Sequence, residues 1–278
     1  MAASVNHVNI ASALTEMAAR QPHTPAIFQP SGFDSAGRRQ YVHLTYHQLN
    51  QDSERIAAGL GHFGIHHGAR VALMVKPSLE FFALVFGLFK AGVAPVIIDP
   101  GIGTKPLKTC LAEAAPEAFI GIPLAQAARA VMGWARASSK VNITVGSGWF
   151  GPRLDDVRAV GAEALLAGKT SLKATRADEL AAILFTSGST GIPKGAVYSH
   201  GNFAAQVTMI RDAYGIQPGE IDLPTFPPFA LFDPALGMTT ILPEMDFTKP
   251  ASVDPERVRE AIDGFGVTNM FGSPALLN

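Results

Sequence analysis

A loop of glycines and hydroxyl side chains between two short apolar runs constrains this chain more than any other feature. The apolar runs cover residues 181–185 and 196–198, and the loop between them carries one positive charge, Lys194. Glycines permit positive φ angles and a close approach of the backbone to a ligand. Hydroxyl groups and consecutive backbone N–H groups donate hydrogen bonds to an anion. The pattern therefore predicts a polyanion-binding loop between two strands.

This loop differs from the P-loop of nucleoside triphosphatases, because Pro193 stands where that pattern has a glycine. The alternative is a surface loop without a ligand, which is the usual role of Gly/Ser/Thr clusters. We favour phosphate binding, for which Gly188, Gly191 and Gly195 allow positive φ and a close approach of the backbone to the ligand. The predicted phosphate-binding residues are Thr186, Ser187, Gly188, Ser189, Thr190, Gly191, Lys194 and Gly195.

Residues 186–195, Thr-Ser-Gly-Ser-Thr-Gly-Ile-Pro-Lys-Gly, closely resemble the phosphate loop of the adenylate-forming superfamily. This superfamily includes acyl-CoA synthetases, peptide-synthetase adenylation domains and luciferases. The resemblance implies ATP and Mg²⁺ as cofactors and a small-molecule carboxylic acid as the partner. It also implies catalytic roles for Thr186 and Lys194 and a metal contact for Thr190.

Alternating strand and helix patterns predict an α/β fold of mainly parallel sheets with flanking helices. Residues with capping side chains, Thr45, Ser78 and Asp254, mark three expected helix starts. The predicted strands are 25–28, 41–44, 70–75, 94–98, 117–121, 141–145, 181–185, 196–198 and 267–271. The predicted helices are 9–20, 79–91, 103–115, 123–136, 201–213 and 254–265, with a further helical stripe after residue 45.

The resemblance implies the N-terminal sub-domains of the adenylate-forming fold, expected at about residues 1–180 and 181–278. A Gly-x-Thr-Glu segment with a magnesium-binding Glu does not follow Gly195, and neither does a lid-sized segment with a catalytic lysine. We therefore expect residues 1–278 to be an incomplete adenylation domain that lacks the C-terminal lid domain and is itself inactive.

Residues 223–233 are rich in proline and phenylalanine and resemble the Pro-x-Phe/Tyr-His-x-x-Gly segment of the superfamily. Ala230 replaces the histidine and Asp233 replaces the glycine. The alternative is an apolar crossover that only packs. Residues 271–274 resemble the strand end before the acyl-pocket helix. The predicted substrate-pocket residues are Phe229, Ala230, Phe232, Asp233, Gly272 and Ser273.

Residues 225–237 and 97–103 resemble the olefin β-lactone synthetase branch, which activates long-chain β-hydroxy acids. In that branch the substrate's own hydroxyl displaces AMP and closes a β-lactone. The alternatives are a fatty acyl-CoA or acyl-AMP ligase and a peptide-synthetase adenylation domain, in which Asp233 would bind the amino group. A non-catalytic nucleotide-binding fragment is the further alternative.

Composition and charge exclude several further classes of protein. The formal net charge is −1, so we expect no nucleic-acid partner, and the single cysteine, Cys110, excludes an internal disulfide. The sequence has no signal-peptide pattern, and its longest apolar run, residues 81–89, is too short to span a bilayer. We therefore expect a cytoplasmic protein, for which peripheral membrane contact stays open and the oligomeric state is not predicted.

Overall fold

The computed structural model describes residues 8–148, 150–186, 193–226 and 228–272. Within these ranges it has nine α-helices and ten β-strands. The helices are α1 (Ala11–Arg20), α2 (Tyr46–Leu60), α3 (Leu79–Lys90), α4 (Thr104–Ala114), α5 (Pro123–Met132), α6 (Leu154–Leu166), α7 (His200–Tyr214), α8 (Asp233–Leu236) and α9 (Pro255–Phe265). The strands are β1 (Pro25–Phe33), β2 (Arg39–Thr45), β3 (Arg70–Met74), β4 (Ala94–Ile98), β5 (Ala118–Gly121), β6 (Val141–Thr144), β7 (Leu180–Thr186), β8 (Lys194–Ser199), β9 (Ile221–Asp222) and β10 (Thr239–Ile241). Short 3-10 helices cover Gly61–Phe63, Pro100–Ile102, Phe229–Leu231 and Pro250–Ser252.

The chain divides into two compact units. Unit 1 contains residues 1–12, 51–76 and 83–204, and unit 2 contains residues 13–50, 77–82 and 205–278. This division differs from two consecutive sub-domains with a boundary near residue 180, because β7 and β8 complete the sheet of unit 1.

Unit 1 is built on a six-stranded sheet in the order β6-β5-β3-β4-β7-β8. The pairs up to β7 are parallel, and β8 runs antiparallel to β7. All four residues of β5 are buried, as expected for a parallel strand covered on both faces. The predicted α/β fold with mainly parallel strands is therefore confirmed.

Unit 2 contains a four-stranded sheet in the order β2-β1-β10-β9. The strand β1 pairs antiparallel with β2 and parallel with β10. An aromatic cluster joins this sheet to α9, since the ring of Phe265 lies 4.8 Å from the rings of both Phe28 and Tyr41.

Side chains predicted as caps begin three helices. Thr45 and Gln48 cap α2 reciprocally, because each side chain accepts a hydrogen bond from the other residue's backbone N–H. Ser78 accepts from the N–H of Phe81 at the start of α3. Asp254 accepts from the N–H of Glu256 at the start of α9.

The structure of unit 2 differs from the prediction at three strands. The strands β9 and β10 were not predicted, because their two and three residues are too few to show a periodic pattern in the sequence. The strand expected at residues 267–271 is reduced to one bridge between Asp222 and Asn269. Pairing with other segments therefore decides which of these residues form a strand.

Candidate active site

The β7 and β8 strands fix both ends of the predicted phosphate loop. Thr186 is the last residue of β7 and Lys194 the first of β8, and the two are paired in the antiparallel register. The side chain of Lys194 is exposed and forms no ion pair with a described residue. Its ammonium group is therefore available to an anion that enters between the strand ends.

Gly195 has a packing role that the sequence analysis did not find. It lies in β8 opposite Phe185, and its φ angle is not positive, so this glycine is not used for a left-handed conformation. A Cβ atom here would lie 2.9 Å from Cζ of Phe185 and 3.1 Å from Cγ2 of Ile183. A glycine is required because the neighbouring strand's side chains cover the position.

The other predicted loop residues lie outside the residues that the structure describes. These are Ser187, Gly188, Ser189, Thr190 and Gly191, together with the side chain of Thr186. Their roles, including the metal contact of Thr190, stay predictions.

His200 begins α7 directly after β8, and it is buried with only 1% of its surface exposed. Its Nδ1 accepts a hydrogen bond from the N–H of Ile10 at 3.4 Å. Burial lowers the pKa of His200 to about 4, so the imidazole is neutral at pH 7. The helix is capped by Ser199 and Asn202, because the side chain of each accepts a hydrogen bond from the backbone N–H of the other.

His67, one of three histidines near the end of the first 3-10 helix, bonds to the Glu179 carboxylate at 2.7 Å. This hydrogen bond lowers the pKa of Glu179. No group of three or more His, Cys, Asp or Glu residues with metal-binding geometry occurs in the described ranges.

In unit 2, the predicted pocket segment forms a short 3-10 turn followed by α8. Phe229 is 40% exposed and its ring stacks on Phe271 with the centroids 3.9 Å apart. Ala230 and Phe232 are buried. A partly exposed aromatic stack is an apolar surface that suits an alkyl chain. Ser273 lies outside the described residues, and Gly272 is partly exposed.

Unit 2 also contains a buried pair of carboxyl groups, Asp222 and Asp233. Asp233 accepts a hydrogen bond from the Thr240 hydroxyl at 2.8 Å and shares a side-chain hydrogen bond with Asp222. Hydrogen bonding with the backbone of Leu223 and Phe271 lowers the pKa of Asp222. The pair connects β9, which carries Asp222, with the start of α8 and with Thr240 of β10.

Burial controls the protonation of this pair. Desolvation raises the pKa of Asp222 to about 6, against the lowering effect of its hydrogen bond with Asp233. Burial and then the charge of Asp222 raise the pKa of Asp233 well above its ordinary value. Two neighbouring carboxyl groups cannot both ionise in a buried site, so Asp233 keeps its proton and donates a hydrogen bond to the Asp222 carboxylate.

Tyr46, at the start of α2, lies close to the same pair. It is fully buried, and its hydroxyl donates to the carbonyl oxygen of Met238 at 2.6 Å. Burial and then the Asp233 charge raise the pKa of the Tyr46 phenol. Asp222 and Tyr46 were not predicted as site residues, and the only sequence signal for Asp222 is an acidic residue directly before the apolar segment 223–233.

Comparison with known proteins identifies the family of this chain. The sequence profile of the AMP-binding enzymes matches residues 14–278. The chain is 52% identical over 272 residues to the olefin beta-lactone synthetase of Xanthomonas campestris pv. campestris, covering 97% of this chain and 48% of that protein. It is 50% identical over 273 residues to the olefin beta-lactone synthetase of Stenotrophomonas maltophilia, covering 97% of this chain and 49% of that protein.

A solved structure shows the same fold. The long-chain-fatty-acid-CoA ligase (FadD1) from Archaeoglobus fulgidus superposes with a TM-score of 0.79 at 18% identity, over 99% of this chain and 53% of that chain. The chain thus spans about half the length of the curated relatives it matches. It belongs to the family of AMP-binding enzymes, as the resemblance of residues 186–195 to the adenylate-forming phosphate loop predicts.

Proposed function

We propose that the full-length gene product activates a long-chain 3-hydroxy carboxylic acid with ATP. A carboxylate oxygen attacks the α-phosphorus, which forms the acyl-adenylate and releases pyrophosphate. The 3-hydroxyl oxygen then attacks the acyl carbonyl carbon, loses its proton and expels AMP, which closes a β-lactone. The observation that carries the proposal is the identity of 52% to an olefin beta-lactone synthetase over 97% of the chain.

The phosphate loop would act by positioning and charge neutralisation, which dominate phosphoryl chemistry. Lys194 is suited to this role, because it is exposed at the loop's end and forms no ion pair with a described residue. Mg²⁺ would share the phosphate charge, with Thr190 as the proposed protein contact. The magnesium-binding Glu and the lid lysine that the family resemblance implies would come from the part of the relatives that this chain does not match.

The state of Asp233 argues against an amino-acid substrate. A carboxylate that binds an ammonium group must be ionised and must face the substrate. Asp233 is 4% exposed, bonds to Thr240 and Asp222, and has a raised pKa. We therefore propose that Asp233 supports the pocket wall from behind, and that Phe229 is the residue of this segment that contacts the acyl chain.

An acyl-CoA or acyl-AMP ligase remains the second candidate, since the same wall suits any fatty acid. The two functions differ in the role of the 3-hydroxyl group. We also propose that the enzyme acts in the cytoplasm on its small-molecule acid.

The test is ATP–pyrophosphate exchange by the full-length gene product, with product analysis by mass spectrometry. We expect exchange with both a long-chain 3-hydroxy acid and its 3-deoxy analogue, and β-lactone with the hydroxy acid alone. Coenzyme A should not be consumed. Thioester formation without lactone would replace the proposal with the ligase function, and exchange with amino acids alone would overturn both.

A variant pair tests the loop. Lys194→Ala should weaken ATP binding by about tenfold or more, because a charge-assisted contact to phosphate is lost. Lys169→Ala removes another exposed lysine, after α6, and should leave the affinity unchanged. Isothermal titration with ATP measures both, and equal affinity in the two variants would show that the loop does not hold phosphate.

A further inference from the structure

The helix α5 exposes an apolar stripe. Leu124 is 75% exposed and Val131 is 85% exposed, and Ala127 lies between them on the same face at i+3. Met132, at the end of the helix, is 41% exposed. Apolar side chains at i, i+3 and i+7 normally face the core, so an exposed stripe of this kind indicates an interaction surface.

The opposite face of α5 holds polar side chains against the protein. Gln126 is 2% exposed, and its side-chain amide donates to the carbonyl oxygen of Ile143 at 2.9 Å. The guanidinium of Arg129 lies 5.5 Å from the centre of the Phe119 ring. These contacts with β5 and β6 fix the rotation of the helix, so the stripe cannot turn inward without breaking them.

The segment that carries the stripe is rich in basic residues. Residues 118–152 contain Arg129, Arg136 and Lys140 but no aspartate or glutamate, although the whole chain has a net charge of −1. None of these three cations forms an ion pair within the described ranges.

A groove of about 250 Å³ lies beside the stripe at the C-terminal end of α5. It is lined by Arg129, Ala130, Gly133, Trp134 and Arg136. Trp134 is 7% exposed, and its indole N–H has no hydrogen-bond partner in the described part of the chain. The groove therefore combines two guanidinium groups with a buried donor, a set that favours a phosphate group.

We propose that this α5 surface, defined as α5 with Arg136 and Lys140, docks on an anionic lipid bilayer. Leu124 and Val131 would enter the boundary between headgroups and acyl chains, while the exposed cations Arg136 and Lys140 contact headgroup phosphates. A second copy of the chain is a poorer partner, because a symmetric contact would place basic residues against basic residues, and the segment 118–152 has no carboxylate of its own to pair with them. The described residues contain no helix long and apolar enough to cross a membrane, so the docking is interfacial. The proposal does not depend on the proposed substrate.

The test is flotation of the full-length gene product with vesicles of phosphatidylcholine alone or with about 30 mol% phosphatidylglycerol. We expect binding to the anionic vesicles and its loss at about 0.5 M salt, where charges are screened over a few ångströms. The double variant L124Q/V131Q should bind at least about tenfold more weakly. Arg136→Gln and Lys140→Gln should each lower the affinity about fivefold.

A matched control separates the stripe from general surface hydrophobicity. Leu166→Gln removes a leucine that is 90% exposed at the end of α6, and it should leave vesicle binding unchanged. Urea unfolding midpoints of all variants should equal the wild-type value, since the substituted side chains are exposed. ATP–pyrophosphate exchange with a water-soluble acid should also be unchanged.

Three results would overturn the proposal. The first is wild-type binding that does not depend on anionic lipid, and the second is an equal loss of binding in Leu166→Gln and L124Q/V131Q. The third is a wild type that does not bind vesicles but sediments as a dimer, together with an L124Q/V131Q variant that sediments as a monomer. That result would assign the stripe to self-association.

Discussion

Replacing Asp222 should change how stability depends on pH. The carboxyl of Asp222 is 6% exposed, and burial raises its pKa from 3.8 to about 6 in the folded state. The folded protein therefore binds more protons than the unfolded chain between these two pH values. The free energy of unfolding must then fall as pH rises through this window and become level above it.

The size of this effect follows from the shift. A change from 3.8 to about 6 is roughly two units, and each unit is worth about 1.36 kcal/mol, so Asp222 removes about 3 kcal/mol between pH 4 and pH 7. With a urea slope of about 2 kcal/mol per molar, this amounts to a change in midpoint of about 1.5 M. Asp222→Asn should lack this contribution, and it preserves the size of the side chain.

The assay is urea unfolding of the wild type and of Asp222→Asn at several pH values from about 4.5 to about 7.5, a range that spans the titration of Asp222. We expect the variant to gain stability relative to the wild type as pH rises. Asp212→Asn, an exposed control on α7, should follow the wild-type profile. Parallel profiles for wild type and Asp222→Asn would refute the buried-pair reasoning.

The remaining predictions concern His200 and the glycines of two helices. The His200 imidazole has a folded pKa of about 4, below the ordinary 6.5, so the wild type loses about 3 kcal/mol of unfolding free energy as pH falls through that interval. His200→Gln should lack this loss, and an unchanged decrease in stability at acid pH in urea unfolding would contradict the reasoning. Gly161→Ala should destabilise the protein by about 3 kcal/mol, because a Cβ atom would lie 1.7 Å from the Arg55 carbonyl oxygen. A Cβ atom at Gly264 would have no neighbour within 4 Å, so Gly264→Ala should raise the free energy of unfolding by about 0.5 kcal/mol in the same assay. A similar loss of stability in both variants would show that close helix packing does not cause the loss in Gly161→Ala.

Local patterns predicted much of the fold. The capping residues Thr45, Ser78 and Asp254 mark helix starts because each bonds to a backbone N–H only two or three residues ahead. The apolar runs of unit 1 also predicted its strands, with β4 matching at both ends (Ala94–Ile98). Information of this kind lies within a few consecutive residues and does not need the rest of the chain.

Contacts between distant segments could not be predicted in this way. The strand β10 exists because Thr240 pairs with Ile27 and Asp222, residues that its own three-residue sequence does not specify. Asp233 was predicted as a pocket residue because only its position in the motif was visible. Its hydrogen bonds to Thr240 and Asp222 show that the side chain faces the interior.

The sequence by itself determined the family and the α/β class, because a motif of ten consecutive residues needs no tertiary context to be identified. Tertiary structure decided which faces are buried. Helical periodicity predicted a helix after residue 123, but the anchoring of Gln126 to β6 turns the apolar side of α5 outward. Desolvation likewise depends on all surrounding atoms, so only the fold determines that Asp222 and Asp233 share a proton.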